Sequence, residues 1–353
     1  MKYSKAKRKL LTKKLSSLSK DSFLQLPTPM YISKNKKFFI KREDLTGLSL
    51  GGNKSRRYEY FFREIKDKGF DSVLHCVSLF SNDAAQISAA ANLMGIDLHL
   101  IFRYEDDFKI NNLPNFTLAN LAGTHSYLVP TYYVSEYFSF LKKSIRGKLY
   151  TVNTGINAYS VELHSILGCI SYVDCFLELL DQVGDVRVDK IVLESGGSSQ
   201  AGLIFASKFL ECDVEIIANN PSPFKPSERE KFVIDLISAS SKLLDLDIPE
   251  IDHIRQEKNL GKGYGKINLS EFKKSVLSAM QEGILLDPIY TSKSFDLLGY
   301  NSKSYNIFIH TGGLSNIFSF SEEINRSSNI TKVKPPIPLR MRNFFKNFVA
   351  FIK

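Results

Sequence analysis

A lysine beside two glycines is the residue of this sequence best suited to covalent chemistry. The segment Gly51–Lys54 follows the charged run Lys41–Gly47, and a helix with apolar residues at helical spacing is predicted directly after it. The glycines let other groups approach the backbone, while the helix dipole, Arg56 and Arg57 disfavour a charged ammonium on Lys54. A lysine with a lowered pKa is what Schiff-base chemistry requires.

Two further polar segments lie where a predicted strand meets a predicted helix, a position at which α/β proteins bind ligands. Ser81 and Asn82 follow the predicted strand Ser72–Ser78. Considered without the lysine, they are more simply explained as a helix N-cap. The small residues Ser195–Gln200 follow the predicted strand Lys190–Leu193. Such a turn lets several backbone N–H groups face one anion, although an ordinary tight turn is the alternative.

Two tyrosines and a threonine complete the set of candidate residues. Tyr264 lies in a glycine-rich segment, Tyr290 follows Asp287-Pro288, and Thr311 opens a Thr-Gly-Gly turn after the predicted strand Tyr305–His310. An aromatic residue that fills a loop pocket is the ordinary interpretation of such a tyrosine. These three residues therefore indicate no activity by themselves.

Three motifs together resemble one family of pyridoxal phosphate (PLP) enzymes. Leu26–Met30, Lys41–Gly47 and Gly51–Lys54 are similar to the tryptophan synthase β-like enzymes of fold type II. Within that group they resemble the 1-aminocyclopropane-1-carboxylate (ACC) deaminase and D-cysteine desulfhydrase family, and matches continue in order to about residue 320. The resemblance implies an α/β fold with two three-layer parallel-sheet domains and the cofactor in the cleft between them.

The resemblance also implies roles for the residues nearest the reaction. Lys54 would carry PLP and move the α-proton of the substrate. Asn82 would bond the phenolic oxygen of the cofactor, and Ser81 would help to bind or activate the substrate. Tyr264 and Tyr290 would line the substrate side of the cofactor.

The remaining implied roles concern the far edges of the cofactor. Thr311 would lie near the ring nitrogen, where a hydroxyl leaves that nitrogen largely unprotonated and favours elimination over transamination. Thr291 would also lie beside the cofactor; ACC deaminases carry Glu there, whereas D-cysteine desulfhydrases carry Thr. The phosphate would be held by four residues of the glycine-rich turn, namely Gly197, Ser198, Ser199 and Gln200.

The chain departs from the family pattern next to Ser81. The usual Ser-Asn-His or Ser-Asn-Gln reads here Ser-Asn-Asp83, Phe80 replaces a glutamine, and Ala85 replaces an arginine. Asp83 adds negative charge near a site that must accept an α-carboxylate. The substrate, and whether activity is retained, are therefore open at this point.

Three functions are compatible with these residues. The predicted one is α,β-elimination from D-cysteine, which gives pyruvate, sulfide and ammonia. The alternative is deamination of ACC, which gives 2-oxobutanoate and ammonia. A non-catalytic interaction protein that retains the fold is the alternative from another class.

The positive charge of the chain is concentrated at its two ends. Residues 1–20 hold eight Lys and Arg and residues 332–353 hold six, with no acidic residue in either; removing these fourteen from the net charge of +10 leaves −4 for residues 21–331. We therefore predict a basic N-terminal arm over residues 1–20 that is amphipathic or disordered and most simply solvated, a basic amphipathic tail and no nucleic-acid partner. We expect both ends to be dispensable for turnover.

Strands that alternate with helices of 10–15 residues predict parallel sheets. We expect residues 21–52 and 160–331 to form a large PLP-binding domain, with 53–159 as a small inserted domain. The histidine spacing predicts no metal site, and no apolar run reaches the roughly 18 residues of a membrane span. Four scattered cysteines favour the reduced cytoplasm. We expect a homodimer that acts on a small amino acid.

Overall fold

The structure, a computed structural model, describes residues 1–34, 38–105, 112–153, 160–220, 225–251, 254–257, 263–299 and 304–326. The chain divides into one compact unit, Met1–Ser319, and a second, Phe320–Lys353. In the second unit the described residues form one short helix, α12 (Ser321–Arg326). The tail predicted at 332–353 lies outside the described residues.

The first unit is built from strands that alternate with helices. Its strands are β1 (Met30–Ile32), β2 (Phe38–Lys41), β3 (Ser72–Ser78), β4 (Asp97–Tyr104), β5 (His125–Pro130), β6 (Leu149–Val152), β7 (Val188–Glu194), β8 (Glu215–Asn219), β9 (Gln256–Glu257) and β10 (Tyr305–Ile309). Its helices are α1 (Lys5–Ser16), α2 (Ser55–Asp67), α3 (Asn82–Met94), α4 (Pro114–Leu121), α5 (Val134–Ser144), α6 (Leu163–Val183), α7 (Ser198–Phe209), α8 (Pro226–Leu244), α9 (Leu269–Met280), α10 (Thr291–Phe295) and α11 (Asn316–Ser319).

The strands form two sheets. One has the order β1-β2-β10-β7-β8-β9, in which only β1 runs antiparallel to its neighbour among the described pairs, and the other has the order β5-β4-β3-β6 and is parallel. The predicted parallel α/β fold is confirmed. All strands of the smaller sheet fall within residues 53–159, but both sheets belong to one compact unit. The domain boundaries therefore stay a prediction.

Helix α6 occupies the centre of the larger apolar core. It is long and apolar enough to cross a membrane by length and composition alone, yet 78% of that stretch is buried inside the fold. Its contact with α7 is close: a Cβ added to Gly202 would lie 2.2 Å from the carbonyl oxygen of Cys169. Burial of this kind is typical of the core helix of a globular fold.

The predicted solvated arm is wrong for the N-terminus, which is packed onto the first unit. Leu11 and Leu15 lie one helical turn apart on α1 and are both buried. The ammonium of Met1 donates hydrogen bonds of 2.7 Å to the carbonyl oxygens of Gly184 and Val186. Lysines dominate the composition of this segment, but the leucine pair supplies one apolar face, and that face determines where the helix lies.

Candidate active site

The ends of β3, β7 and β10 meet the first turns of α2, α3 and α7 around a cleft of about 710 Å³. Carboxyl ends of parallel strands are where such folds place their ligands. Nine predicted site residues line the cleft: Lys54, Ser81, Asn82, Gly197, Ser198, Ser199, Tyr264, Tyr290 and Thr311.

The loop before Lys54 is fixed by close backbone contacts. Gly51 has φ +70°, and a Cβ there would lie 2.0 Å from the carbonyl oxygen of Asp44. Two residues further on, the N–H of Asn53 donates to the carbonyl oxygen of Thr311 at 3.2 Å. The lysine loop and the Thr-Gly-Gly turn therefore lie against each other, which explains why both contain glycine.

Burial is the main influence on Lys54. It lowers the pKa of the ammonium; the nearby carboxylate of Asp83 opposes that shift, and the guanidinium of Arg57 adds to it. The sequence-based expectation that Arg56 contributes is wrong. Arg56 donates from Nε to Glu43 Oε2 at 2.6 Å, so its charge is paired away from the lysine.

Ser81 and Asn82 hold the start of α3. Ser81 is the N-cap, and its Oγ accepts a hydrogen bond from the N–H of Asp83 at 3.3 Å. The Oδ1 of Asn82 accepts from the Nδ2 atoms of Asn115 and Asn316 at 3.1 and 2.9 Å. Because two donors occupy its oxygen, Asn82 presents its own amide nitrogen as the donor.

The glycine-rich turn joins β7 to α7. Gly197 adopts φ +139°, and a Cβ there would meet the ring of Phe232 at 2.7 Å. The first-turn amides of Ser198 and Ser199 have no acceptor within their helix, as at any helix start. Asn53 donates from Nδ2 to the Oγ of Ser199 at 3.1 Å, which connects this turn to the lysine loop.

Two predicted cofactor contacts do not line the cleft. Gln200 is buried; its Oε1 accepts from Arg229 Nη2 at 3.1 Å, and its N–H donates to Ser195 Oγ at 3.2 Å. Thr291 is also buried, and its hydroxyl donates to Asp287 Oδ1 at 2.7 Å. Both side chains stabilise turns instead, so the structure does not support their assignment to the cofactor.

The two predicted tyrosines form a chain of hydroxyl groups. The hydroxyl of Tyr264 lies 2.6 Å from Ser78 Oγ and 2.7 Å from the hydroxyl of Tyr290. The Tyr290 hydroxyl also lies 3.3 Å from the carbonyl oxygen of Phe80. Burial raises the pKa of both phenols, so at neutral pH they are proton donors rather than phenolates.

A cluster of charged and imidazole groups lies behind Lys54. Asp83 accepts a hydrogen bond from Tyr58 and lies 3.5 Å from His75 Nε2. Burial would raise the pKa of Asp83, but the hydrogen bond from His75 and the charge of Arg57 outweigh it and hold that pKa well below its usual range. Asp83 is therefore an anion beside the lysine.

The same cluster has the geometry of a possible metal site. Ligand atoms of His75, Asp83 and His164 lie within 4.8 Å of one another. However, Arg57 Nη1 lies 3.2 Å from His164 Nδ1. A guanidinium at that distance repels a cation, so the absence of a metal stays our prediction.

Residues 22–312 match the model of a family described as pyridoxal-phosphate dependent enzyme. The chain belongs to this family of PLP-dependent enzymes. The match confirms the predicted cofactor and the prediction that the protein is an enzyme.

Individual relatives agree with the resemblance found in the sequence motifs. A Pyrococcus abyssi protein provisionally named 1-aminocyclopropane-1-carboxylate deaminase is 30% identical over 81% of this chain and 87% of its own length. The D-cysteine desulfhydrase of Salmonella typhimurium is 28% identical over 86% of this chain and 96% of its own. The crystal structure of an ACC deaminase homologue superposes with a TM-score of 0.76 at 25% identity, covering 90% of this chain and 98% of that one.

The cleft of this PLP-dependent enzyme fits the phosphate of its cofactor. A Cβ added to Gly168 would lie 3.0 Å from Ser198 Cβ and 3.2 Å from Arg57 Cζ, so the guanidinium and the anion-binding turn share one wall. The Nε of Arg57 is buried and has no hydrogen-bond partner in the described part of the chain. Arg57 thus offers an unused donor and a positive charge where the phosphate is expected.

Among the residues that line the cleft of this PLP-dependent enzyme and that sequence reasoning missed are His75, His164 and Glu194. The two histidines come from separate elements, and nothing in their sequence spacing indicates that they meet. A signal did exist for Glu194. It is a charged residue that ends an apolar strand and directly precedes the glycine-rich turn. The predicted strand stopped at Leu193, one residue short of this carboxyl.

Proposed function

We propose that this enzyme catalyses α,β-elimination from D-cysteine, releasing sulfide and leaving pyruvate and ammonia. When bound, the cofactor supplies an electron-withdrawing ring that stabilises negative charge on the α-carbon of the substrate. Phe80, Tyr264 and Tyr290 line the same cleft as Lys54, and we expect these three rings to limit the substrate to a small amino acid.

The proposed reaction assigns a proton transfer to Lys54. Its Nζ takes the α-proton, which requires the neutral amine, and burial favours that form. The bond between the β-carbon and sulfur breaks, and sulfide departs with the bonding electron pair. The resulting 2-aminoacrylate reacts with water to give pyruvate and ammonia, which balances the reaction without an oxidant or reductant.

The choice of D-cysteine is carried by one observation, the position of Thr291. Its hydroxyl is bonded to Asp287, so the residue after Tyr290 presents no carboxylate to the cleft. Opening of a cyclopropane ring needs a proton delivered to carbon, whereas sulfide leaves with little protonation. Because sulfide needs little protonation, we expect the hydroxyl chain of Ser78, Tyr264 and Tyr290 to supply all the proton donation that its departure requires.

ACC deamination to 2-oxobutanoate and ammonia is the second candidate. The observation that favours it is Glu194, a buried carboxyl that lines the cleft and whose pKa burial raises well above its usual range. A neutral carboxylic acid could provide the proton that Thr291 cannot. The name given to the Pyrococcus abyssi relative supports the same candidate.

We also propose a cytoplasmic homodimer and retain the predicted division into two domains. The four cysteines are buried free thiols, which supports a reducing compartment. The non-catalytic alternative is disfavoured by the presence in one cleft of Lys54, Asn82, Tyr264, Tyr290 and the anion-binding turn.

The direct test compares D-cysteine, β-chloro-D-alanine, D-serine, L-cysteine and ACC, with release of 2-oxo acid and sulfide as the measurement. We expect D-cysteine and β-chloro-D-alanine to react fastest. Efficient 2-oxobutanoate formation from ACC with D-cysteine inert would select the second candidate. No turnover of any compound by PLP-loaded protein would favour the non-catalytic alternative.

A further inference from the structure

Glu194 is a buried carboxyl group with one oxygen unused. Its Oε2 accepts a hydrogen bond from Asn219 Nδ2 at 2.9 Å. Its Oε1 is buried and has no hydrogen-bond partner among the residues that the structure describes. Leaving a buried polar atom unsatisfied is unfavourable, so such an atom in a ligand cleft indicates that the ligand is its partner.

The surroundings of Glu194 determine which form of the carboxyl is present. Burial raises its pKa well above the usual range; the Asn219 hydrogen bond and the charges of Arg229 and Lys293 oppose this, and Asp287 adds to it. The net effect raises the pKa of Glu194 and so favours the neutral carboxylic acid. In that form Glu194 is a proton donor, and rotation about its terminal bond can turn either oxygen toward the cleft while Asn219 contacts the other.

The sheet register places this carboxyl beside the Thr-Gly-Gly turn. Strands β7 and β10 are parallel neighbours in which Leu193 pairs with Ile309. Glu194 therefore lies across from the residues that follow Ile309 and approaches Thr311, which also lines the cleft. The anion-binding turn begins immediately after Glu194 in the chain.

The chemistry of the cofactor then limits what Glu194 meets. In PLP the ring nitrogen lies opposite the ring carbon whose aldehyde group reacts with the lysine. A single ring carbon separates the nitrogen from the ring carbon that carries the phosphate arm. If Ser198 and Ser199 hold the phosphate and Lys54 holds the reactive carbon, Glu194 at the end of β7 would be available to the nitrogen edge, since all four residues line the same cleft.

We propose that Glu194 binds the ring nitrogen of the cofactor and donates its proton to it. This inference rests on the proposed function, in particular on attachment at Lys54. It changes the expectation that only the Thr311 hydroxyl faces that nitrogen. A carboxylic acid makes the ring a stronger electron acceptor than a threonine hydroxyl does, because a proton shared with the nitrogen partly neutralises the negative charge that develops in the ring.

The test uses full-length Glu194→Leu and Glu194→Gln, with PLP isotope-labelled at the ring nitrogen. Glutamine retains a donor of the same shape but cannot transfer a proton, whereas leucine removes the hydrogen bond. We expect the leucine variant to bind PLP about tenfold more weakly. We expect the ring-nitrogen NMR signal to move toward that of free unprotonated PLP in both variants. Cofactor-free Glu194→Gln should match the wild type in heat stability, because its amide oxygen can still accept the hydrogen bond from Asn219.

Ser72→Ala is the matched control, because Ser72 Oγ is also buried and without a hydrogen-bond partner among the described residues, but lies outside the cleft lining. It should leave PLP affinity and the nitrogen signal unchanged. Wild-type affinity together with a wild-type nitrogen signal in Glu194→Leu would overturn this inference while leaving the proposed function intact. Failure of the wild-type protein to attach PLP at Lys54 would overturn both.

Discussion

Lys54 is surrounded by groups that shift its pKa in opposite directions. Burial and Arg57 favour the neutral amine, whereas the carboxylate of Asp83 favours the ammonium. Among the charges, that of Asp83 has the largest effect, and Asp83 replaces the histidine or glutamine usual at this position in the family. The substitution therefore bears directly on how readily the lysine reacts.

Asp83→Asn should move the pH at which PLP attaches half-maximally to a lower value, by about one pH unit. Asp83 raises the Lys54 pKa, so removing its charge lowers that pKa and makes the neutral amine available at lower pH. Asparagine still accepts the hydrogen bond from Tyr58. The attachment rate, followed by absorbance across pH, measures the shift.

Asp97→Asn, a carboxylate to amide change at the exposed start of β4, is the control for this experiment. It should leave the midpoint unchanged. A midpoint that moves to higher pH in Asp83→Asn would show that Asp83 does not act on Lys54 through its charge.

Tyr290 lines the cleft and its hydroxyl is hydrogen-bonded to that of Tyr264; we propose that it exchanges a proton with the substrate. Tyr290→Phe should lower kcat with D-cysteine about a hundredfold while the absorbance of bound PLP stays as in the wild type. Tyr305→Phe changes a phenol that packs on Phe39 outside the cleft and should have no effect. Equal kcat values for Tyr290→Phe and the wild type would remove Tyr290 from the mechanism.

Among the secondary structure elements, α1 shows most clearly how composition can mislead. Its lysines indicated a solvated arm, yet Leu11 and Leu15 are buried and α1 carries lysines that pair with acidic residues of the first unit, including Lys14 with Asp245 at 2.8 Å. No residue of α1 lines the cleft. We therefore expect the helix to contribute to stability and to be dispensable for turnover.

Leu11→Ala should lower the free energy of unfolding by about 2–4 kcal/mol, because it removes a fully buried side chain. At a temperature where the variant is folded, kcat/KM should match the wild type. Lys9→Ala, on the exposed face of the same helix, should change neither value. Denaturant unfolding measures the free energy of unfolding, and steady-state assays measure kcat/KM. An unchanged unfolding midpoint in Leu11→Ala would contradict the packing of α1.

Local patterns in the sequence predicted the parallel α/β fold and a lysine, Lys54, that lines the cleft. The apolar strands gave the parallel sheets, and the glycines at positions 51 and 52 marked the lysine loop because their function is backbone conformation. Predictions that depended on side-chain orientation were less successful. Thr291 follows Tyr290 in sequence, but Asp287 accepts its hydroxyl and keeps it out of the cleft.

Glu194 was missed for a related reason. Its importance depends on burial and on the lack of a hydrogen-bond partner for Oε1 within the described segments, and neither property is visible in a single sequence. The cluster of His75, Asp83 and His164 could not be predicted from the sequence either, because its members come from three elements that only the folded chain brings together.

The claim on which the whole account depends is that Lys54 carries the cofactor. Protein loaded with PLP is reduced with borohydride and digested, and the labelled peptide is identified by mass spectrometry. The account predicts a pyridoxyl group on Lys54 and no label in Lys54→Ala. A label on Lys293, whose pKa is also lowered by burial, or no label on the wild-type protein, would contradict it.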